Sequence, residues 1–192
     1  MHRIAIFASG NGTNAQRIIE YFQNNDQISV NLVISNKADA YVLERAEKLG
    51  VPSLVFSSHE FKEADHLLRR IQVLRIDFIV LAGFLLKVPD LLLHEFPNRI
   101  INIHPALLPS YGGKGMYGHH VHEAVIAAGD AESGISIHLV NENYDEGKVV
   151  FQAKCPVLPG DTADILASRI HELEHRWFPE VIEGWIVGKD EG

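Results

Sequence analysis

The sequence predicts an α/β protein built on an open, mostly parallel sheet with helices on both faces and a late antiparallel extension. Three observations carry this. Short apolar runs alternate with segments of helical periodicity through the first half of the chain. A glycine-rich turn, Ser9-Gly10-Asn11-Gly12, follows the first apolar run directly. The second half sets two apolar runs on either side of a short acidic loop, which suits an antiparallel pair.

Taken in order, Arg3 to Ala8 reads as a buried strand, and Ala15 to Phe22 carries helical spacing after the turn. Ile28 to Ile34 is a second strand and Ala40 to Leu49 a second helix. Ser53 to Phe56 is a short strand, and Phe61 to Leu74 a helix. Asp77 to Ala82 and Arg99 to Ile103 are strongly apolar strands. Ile135 to Val140 and Val149 to Val157 form the late pair around the loop Asn141 to Lys148. A last helix starts near Asp161-Thr162. Ile165, Leu166, Arg169, Leu173 and Trp177 give it a mostly apolar stripe, and Pro179 is expected to end or kink it. This Rossmann-like order puts ligands beyond the carboxyl ends of the strands, after Ala8, Ala82 and Ile103. With no repeat, low-complexity segment or linker, the chain reads as one domain over 1–192.

Composition narrows the function. The net charge is −8 and no dense Lys/Arg block exists, which argues against a nucleic-acid surface. The longest apolar run, Phe78 to Leu86, is about half of the ~20 residues a membrane helix needs. Ile4 to Ala8 is too short for a secretory signal core, and Cys155 is the only cysteine. The expectation is a cytoplasmic protein acting on small molecules.

Three segments carry chemistry. In Ser9-Gly10-Asn11-Gly12-Thr13-Asn14, glycines permit a tight turn, and the free N–H groups of the next helix face an anion. The segment reads either as a phosphate cradle with Thr13 and Asn14 as added donors, or as a plain turn with one of them as N-cap. Gly10, Gly12 and Ala15 also match G-x-G-x-x-A, but the second strand ends Val33-Ile34-Ser35-Asn36 without the acid that holds a ribose diol, so NAD is not expected. The second segment is Asn102-Ile103-His104-Pro105. Strand alternation sets Asn102 and His104 on one face, where an amide N–H and an imidazole together suit an oxyanion. The third is the loop Tyr144-Asp145-Glu146-Gly147. If the late strands lie beside Asn102–His104, its carboxylate reaches His104, raises its pKa and keeps it charged.

Two segments mimic metal sites. His171-Glu172-Leu173-Glu174-His175 is a literal H-E-x-x-H, but it lacks a third ligand farther on. His119-His120-Val121-His122 fits no standard ligand spacing and reads as a loop entering a helix at Val121, with His120 or His122 left as candidates to line a site. No metal is expected.

Together these residues resemble the folate-dependent phosphoribosylglycinamide formyltransferases. The resemblance runs through Ser9 to Asn14, Ser35 to Ala40 with Leu43-Glu44-Arg45-Ala46, and Val80 to Phe84. It continues through Asn102 to Pro109, Gly134 to Val140, Asp145, Gly160-Asp161-Thr162 and Glu174-His175. It implies formyl transfer from 10-formyltetrahydrofolate to the amine of 5'-phosphoribosylglycinamide in purine biosynthesis. The formyl donor is then a co-substrate, and no cofactor is tightly bound. The resemblance assigns catalysis to Asn102, His104 and Asp145, and the ribose phosphate to Gly12, Thr13 and Asn14. Glu174 is assigned to the glycinamide end of the acceptor. The folate pocket falls to Leu85, Leu86, Lys87, Val88, Asn102, Asn141, Glu142, Asn143 and Tyr144, with Lys62 as a loose match. Tyr111 to Gly118 is longer and richer in glycine than the corresponding segment of many members. Small-molecule substrates are the expected partners, with no nucleic acid or membrane and with a homodimer left open. The alternatives are another 10-formyltetrahydrofolate enzyme, a deformylase or a formyltransferase for methionyl-tRNA or an amino sugar, and a non-catalytic sensor of a phosphorylated ligand. A separate tRNA-binding or regulatory domain is not expected in the chain.

Overall fold

The computed structural model describes residues 1–189, so the last residues of the expected 1–192 domain lie outside the described part. The elements run β1 (His2–Phe7), α1 (Thr13–Phe22), β2 (Ile28–Ser35), α2 (Tyr41–Lys48), β3 (Ser53–Val55), α3 (Ser58–Glu63) and α4 (Asp65–Val73). There follow β4 (Phe78–Leu81), α5 (Asp90–Glu95), β5 (Ile100–His104), α6 (His119–Ala128), β6 (Glu132–Leu139), β7 (Val149–Pro156) and α7 (Ala163–Val187). All strands join one sheet in the order β3-β2-β1-β4-β5-β6-β7. The first five in that order are parallel, while β6 runs antiparallel to β5 and β7. This is the expected architecture.

Alternation along the central strands explains the two helix layers. Ile4 and Ile6 of β1 face a core formed with α1, α2 and α7, whereas Ala5 and Phe7 face a second core with α3, α4 and α5. Both faces of the parallel strands are therefore buried, which is why they read as unbroken apolar runs. The strand order reverses beside β1, and this switch point opens a crevice at the carboxyl ends of β1 and β4. The crevice walls are stitched together. Ser9 N–H donates to the Gly83 carbonyl at 3.0 Å, Leu85 N–H donates to Ser9 Oγ at 2.9 Å, and Ser9 Oγ–H donates to Asn36 Oδ1 at 2.6 Å.

Three local expectations are corrected. The helix read over Phe61–Leu74 is two helices, because Ala64 sits in the left-handed region at φ 51°. The break is reinforced upstream by a capping box between Ser57 and Glu60, which fixes where α3 begins. Pro179 does not end the last helix, since α7 continues from Ala163 to Val187 around it. Proline frees the carbonyl of the residue four positions back, here His175, and Arg17 Nε donates to that oxygen at 3.4 Å. The pyrrolidine ring itself is buried. Third, α6 begins at His119 rather than Val121.

Candidate active site

A large cavity, about 750 Å³, lies over the switch point. It collects the turn after β1, the end of β5, the Gly113–Gly118 loop, the start of α6 and one face of α7.

At one end α1 starts from Gly12, at φ 77°, and no side chain caps it. This corrects the reading of Thr13 or Asn14 as N-cap. A Cβ at Gly12 would collide with the Val42 side chain of α2, so both the torsion and the space demand glycine. The first-turn amides are thus left without a side-chain partner beside a cavity lined by Gly12, Thr13 and Asn14. The Asn14 side chain is also tied to the last helix. Its Nδ2 donates to Glu174 Oε2 at 2.9 Å, while its buried Oδ1 has no partner. Glu174 is itself buried, and the same Oε2 accepts from His171 Nδ1 at 2.8 Å. Both donors converge on one carboxylate oxygen and leave Oε1 out of these bonds.

At the other end stands the polar group carried by β5 and β6. The antiparallel pairing sets Asn102 opposite His138 and His104 opposite Ser136. Asn102 Nδ2 lies 3.0 Å from His138 Nε2, and His138 Nδ1 lies 2.9 Å from the Leu139 carbonyl. A carbonyl only accepts, so Nδ1 carries a proton. In the neutral ring Nε2 therefore accepts from the Asn102 amide and fixes its orientation. Asp145 reaches both imidazoles, with Oδ2 3.6 Å from His104 Nδ1 and Oδ1 3.5 Å from His138 Nε2. It sits at φ 56°, a conformation Asp tolerates better than most residues, and its Oδ2 accepts from Gly113 N–H at 2.9 Å. The loop after β6 thus delivers the carboxylate to His104, as the sequence suggested.

The protonation state differs from expectation. His104 is buried, and burial lowers its pKa more than Asp145 and the Tyr111 carbonyl raise it. The balance therefore favours the neutral imidazole over the charged ring that the sequence suggested. Its Nε2–H donates to the Tyr111 carbonyl at 2.7 Å, so the neutral ring turns an unprotonated Nδ1 toward the carboxylate. Burial also works to raise the Asp145 pKa. The contact with His138 when that ring is protonated, the Gly113 N–H and the charge His104 gains on protonation outweigh it, and Asp145 stays below the usual range as an ionised base.

A second cavity of about 590 Å³ adjoins the first. It gathers Lys62, Leu85, Leu86, Lys87, Val88 and Tyr144, six of the residues read as folate-binding. Tyr144 and Leu85 line both cavities, so a bound molecule can pass between them. Asn141, Glu142 and Asn143 line neither; Asn141 Oδ1 instead accepts from Asn143 N–H at 3.0 Å and shapes the loop.

The histidine segments have partners of their own. His171 is engaged by Glu174, and its ring stacks on His175 with centroids 6.2 Å apart. Among the described residues no group of three or more His, Cys, Asp or Glu side chains is placed to hold a metal ion. Of the two candidates on α6, His120 is exposed and paired with Glu123, while His122 is buried and lines the large cavity. Burial pushes the His122 pKa down to about 4. The folded state then holds His122 neutral where the unfolded chain would protonate it. Its contribution to stability is full above about pH 6.5 and is lost as pH falls toward 4. His122→Gln is expected to remove close to one proton taken up on unfolding in that window, seen as a flatter dependence of Tm on pH between 6.5 and 4. An unchanged slope would show that other groups control the acid limb.

His138, Tyr111 and Gly113 escape a reading of single motifs, because each acts on Asn102, His104 or Asp145 through a contact distant in sequence. One trace was visible. Ser136 and His138 alternate with Ile135 and Ile137 along β6, putting polar side chains on a buried face.

An uncapped helix start, an Asn-His-Asp group and an adjoining second cavity thus meet at the switch point of a mostly parallel sheet. The pattern of the formyl transferase family matches residues 2–182, and the chain belongs to that family. Within it the chain stands with the phosphoribosylglycinamide formyltransferases. The one from Haemophilus influenzae is 39% identical over 98% of this chain and 89% of its own length. The chloroplastic one from Arabidopsis thaliana is 42% identical over 94% of this chain, which spans 64% of that longer protein. This chain also spans 13% of a Drosophila pseudoobscura trifunctional purine biosynthetic protein. The crystal structure of glycinamide ribonucleotide transformylase 1 from Symbiobacterium toebii superposes with a TM-score of 0.90 at 37% identity, covering 98% of this chain and 89% of that one. Among the described residues no helix is long and apolar enough to cross a membrane.

Proposed function

We propose that this chain transfers the formyl group of 10-formyltetrahydrofolate to the amine of 5'-phosphoribosylglycinamide in purine biosynthesis. The observation that carries the reading is a single cavity with an uncapped helix start at one end and the Asn102–His104–Asp145 group at the other. The ribose phosphate rests on Gly12, Thr13 and the α1 amides, and Glu174 holds the glycinamide end. The folate lies over Leu85 to Val88, Tyr144 and Lys62 and enters the large cavity past Tyr144. It comes and goes as a co-substrate, and the reaction belongs to the cytoplasm.

Chemically, the neutral amine attacks the formyl carbon and its carbonyl oxygen becomes an oxyanion. The Asn102 amide, oriented by His138, donates to that oxygen. His104 begins neutral and takes up the attacking amine's proton by way of Asp145, whose carboxylate stabilises the imidazolium facing the oxyanion. As the oxyanion reforms the carbonyl, the bond from the formyl carbon to the folate nitrogen breaks and that nitrogen receives the same proton. Holding both substrates in one crevice supplies positioning, worth roughly 7–11 kcal/mol of barrier in well-aligned cases.

The test is donor consumption followed spectroscopically, with and without 5'-phosphoribosylglycinamide. Acceptor-dependent turnover that survives a chelator is the expected result. Donor loss without acceptor would make the chain a deformylase. Binding of the ribonucleotide without turnover would make it a sensor.

A further inference from the structure

We infer that Arg45, which stands outside the cavity, is the positioning residue of the phosphate turn, holding Gly10–Gly12 in its anion-binding shape from the outer side. This rests on the phosphate role proposed for Gly12 and Thr13. Inside the cavity no side chain caps α1, and the turn contains two glycines, one of them at φ 77°. A glycine-rich turn explores many conformations, and each one lost on ligand binding weakens affinity. A rigid cradle therefore needs a hold that does not occupy the ligand's place.

One turn of α2 supplies it. Val42 N–H donates to the Gly10 carbonyl at 3.1 Å, and the Val42 side chain closes the space over Gly12. One turn farther along the same helix, the Arg45 guanidinium spans Asn11. Nε donates to the Asn11 carbonyl at 2.8 Å and Nη2 to Asn11 Oδ1 at 2.6 Å, while Nη1 donates to Gln16 Oε1 of α1. The guanidinium thus ties together the turn, the following helix and α2. It is seated over the Tyr41 ring, 4.8 Å from the centroid. These hydrogen bonds all go to neutral oxygens and do not cancel the positive charge beside the turn. Lysine cannot reproduce the arrangement, since a single ammonium lacks the planar fork that reaches backbone and side chain together.

The test uses Arg45→Ala, Arg45→Lys, Asn11→Ala and the Arg45→Ala/Asn11→Ala double variant. Kinetics give KM for each substrate and kcat, and inorganic phosphate serves as a probe by titration calorimetry and competitive inhibition. Arg45→Ala is expected to raise acceptor KM and weaken phosphate binding by about tenfold, with kcat and donor KM retained. Arg45→Lys recovers only part of the loss. In the double variant the two losses do not add, because both remove the same tie. Acceptor KM and phosphate binding within about twofold of wild type in Arg45→Ala would overturn the inference. A fall in kcat alone, or equal weakening of both substrates with a lowered Tm, would overturn it too, as it would mark general loosening. A wild-type protein that binds no phosphate sinks it together with the cradle. A wild-type protein that binds phosphate through Arg45 but transfers no formyl group sinks the proposed reaction and leaves this inference standing.

Discussion

Asp145→Asn is expected to lower kcat by about 10²–10⁴-fold while leaving the binding of both substrates near the wild-type level. Asparagine keeps the shape and an oxygen for the Gly113 N–H. It also tolerates the left-handed conformation that residue 145 adopts, so the loop should hold. What is lost is the negative charge facing two imidazoles at 3.6 and 3.5 Å. His104 already starts neutral because burial outweighs Asp145, so without the carboxylate its protonated form becomes still harder to reach at the transition state. Rapid-quench kinetics with equilibrium binding of the ribonucleotide separate the two quantities. If affinity and kcat fall together, Asp145 shapes the site rather than serving the chemistry.

Asn102→Ala should cost about 10²–10³ in kcat, the loss expected when one oxyanion donor is removed. Asn102 is half-buried at the cavity wall, and its amide bridges His138 and the cavity. Truncation leaves His138 Nε2 without that donor and leaves the reacting oxygen with His104 alone. A second variant, Asn102→Asp, keeps the size but presents a carboxylate where a donor is needed, and it should be at least as impaired. A change below about tenfold in Asn102→Ala would remove this amide from the oxyanion site.

Much of this is legible in the order of residues alone. The strand and helix periodicities are short-range properties of apolar spacing, so β1, β2, β4, β5, the late pair and the start of the final helix can be read within a few residues. The same is true of the Gly10–Gly12 turn, where Gly12 takes a torsion that glycine accepts easily. Alternation in β5 places Asn102 and His104 on one face, and both line the large cavity. Long-range contact and burial decide the rest. The β5–β6 register brings His138 to Asn102 and lets the loop after β6 carry Asp145 to His104. Removal of water, which no residue pattern reports, turns an expected imidazolium into a neutral imidazole. That the Asn14 amide also meets Glu174 follows only from the packing of α7 across α1. Pro179 is a helix stop or kink by sequence, and the helix continues through it where Arg17, far away in sequence, donates to the carbonyl it exposes. Spacing and turn chemistry belong to neighbours along the chain. Protonation, hydrogen-bond partners and tolerance of a proline depend on groups brought near only by folding, and those are what make the cavity a reactive site.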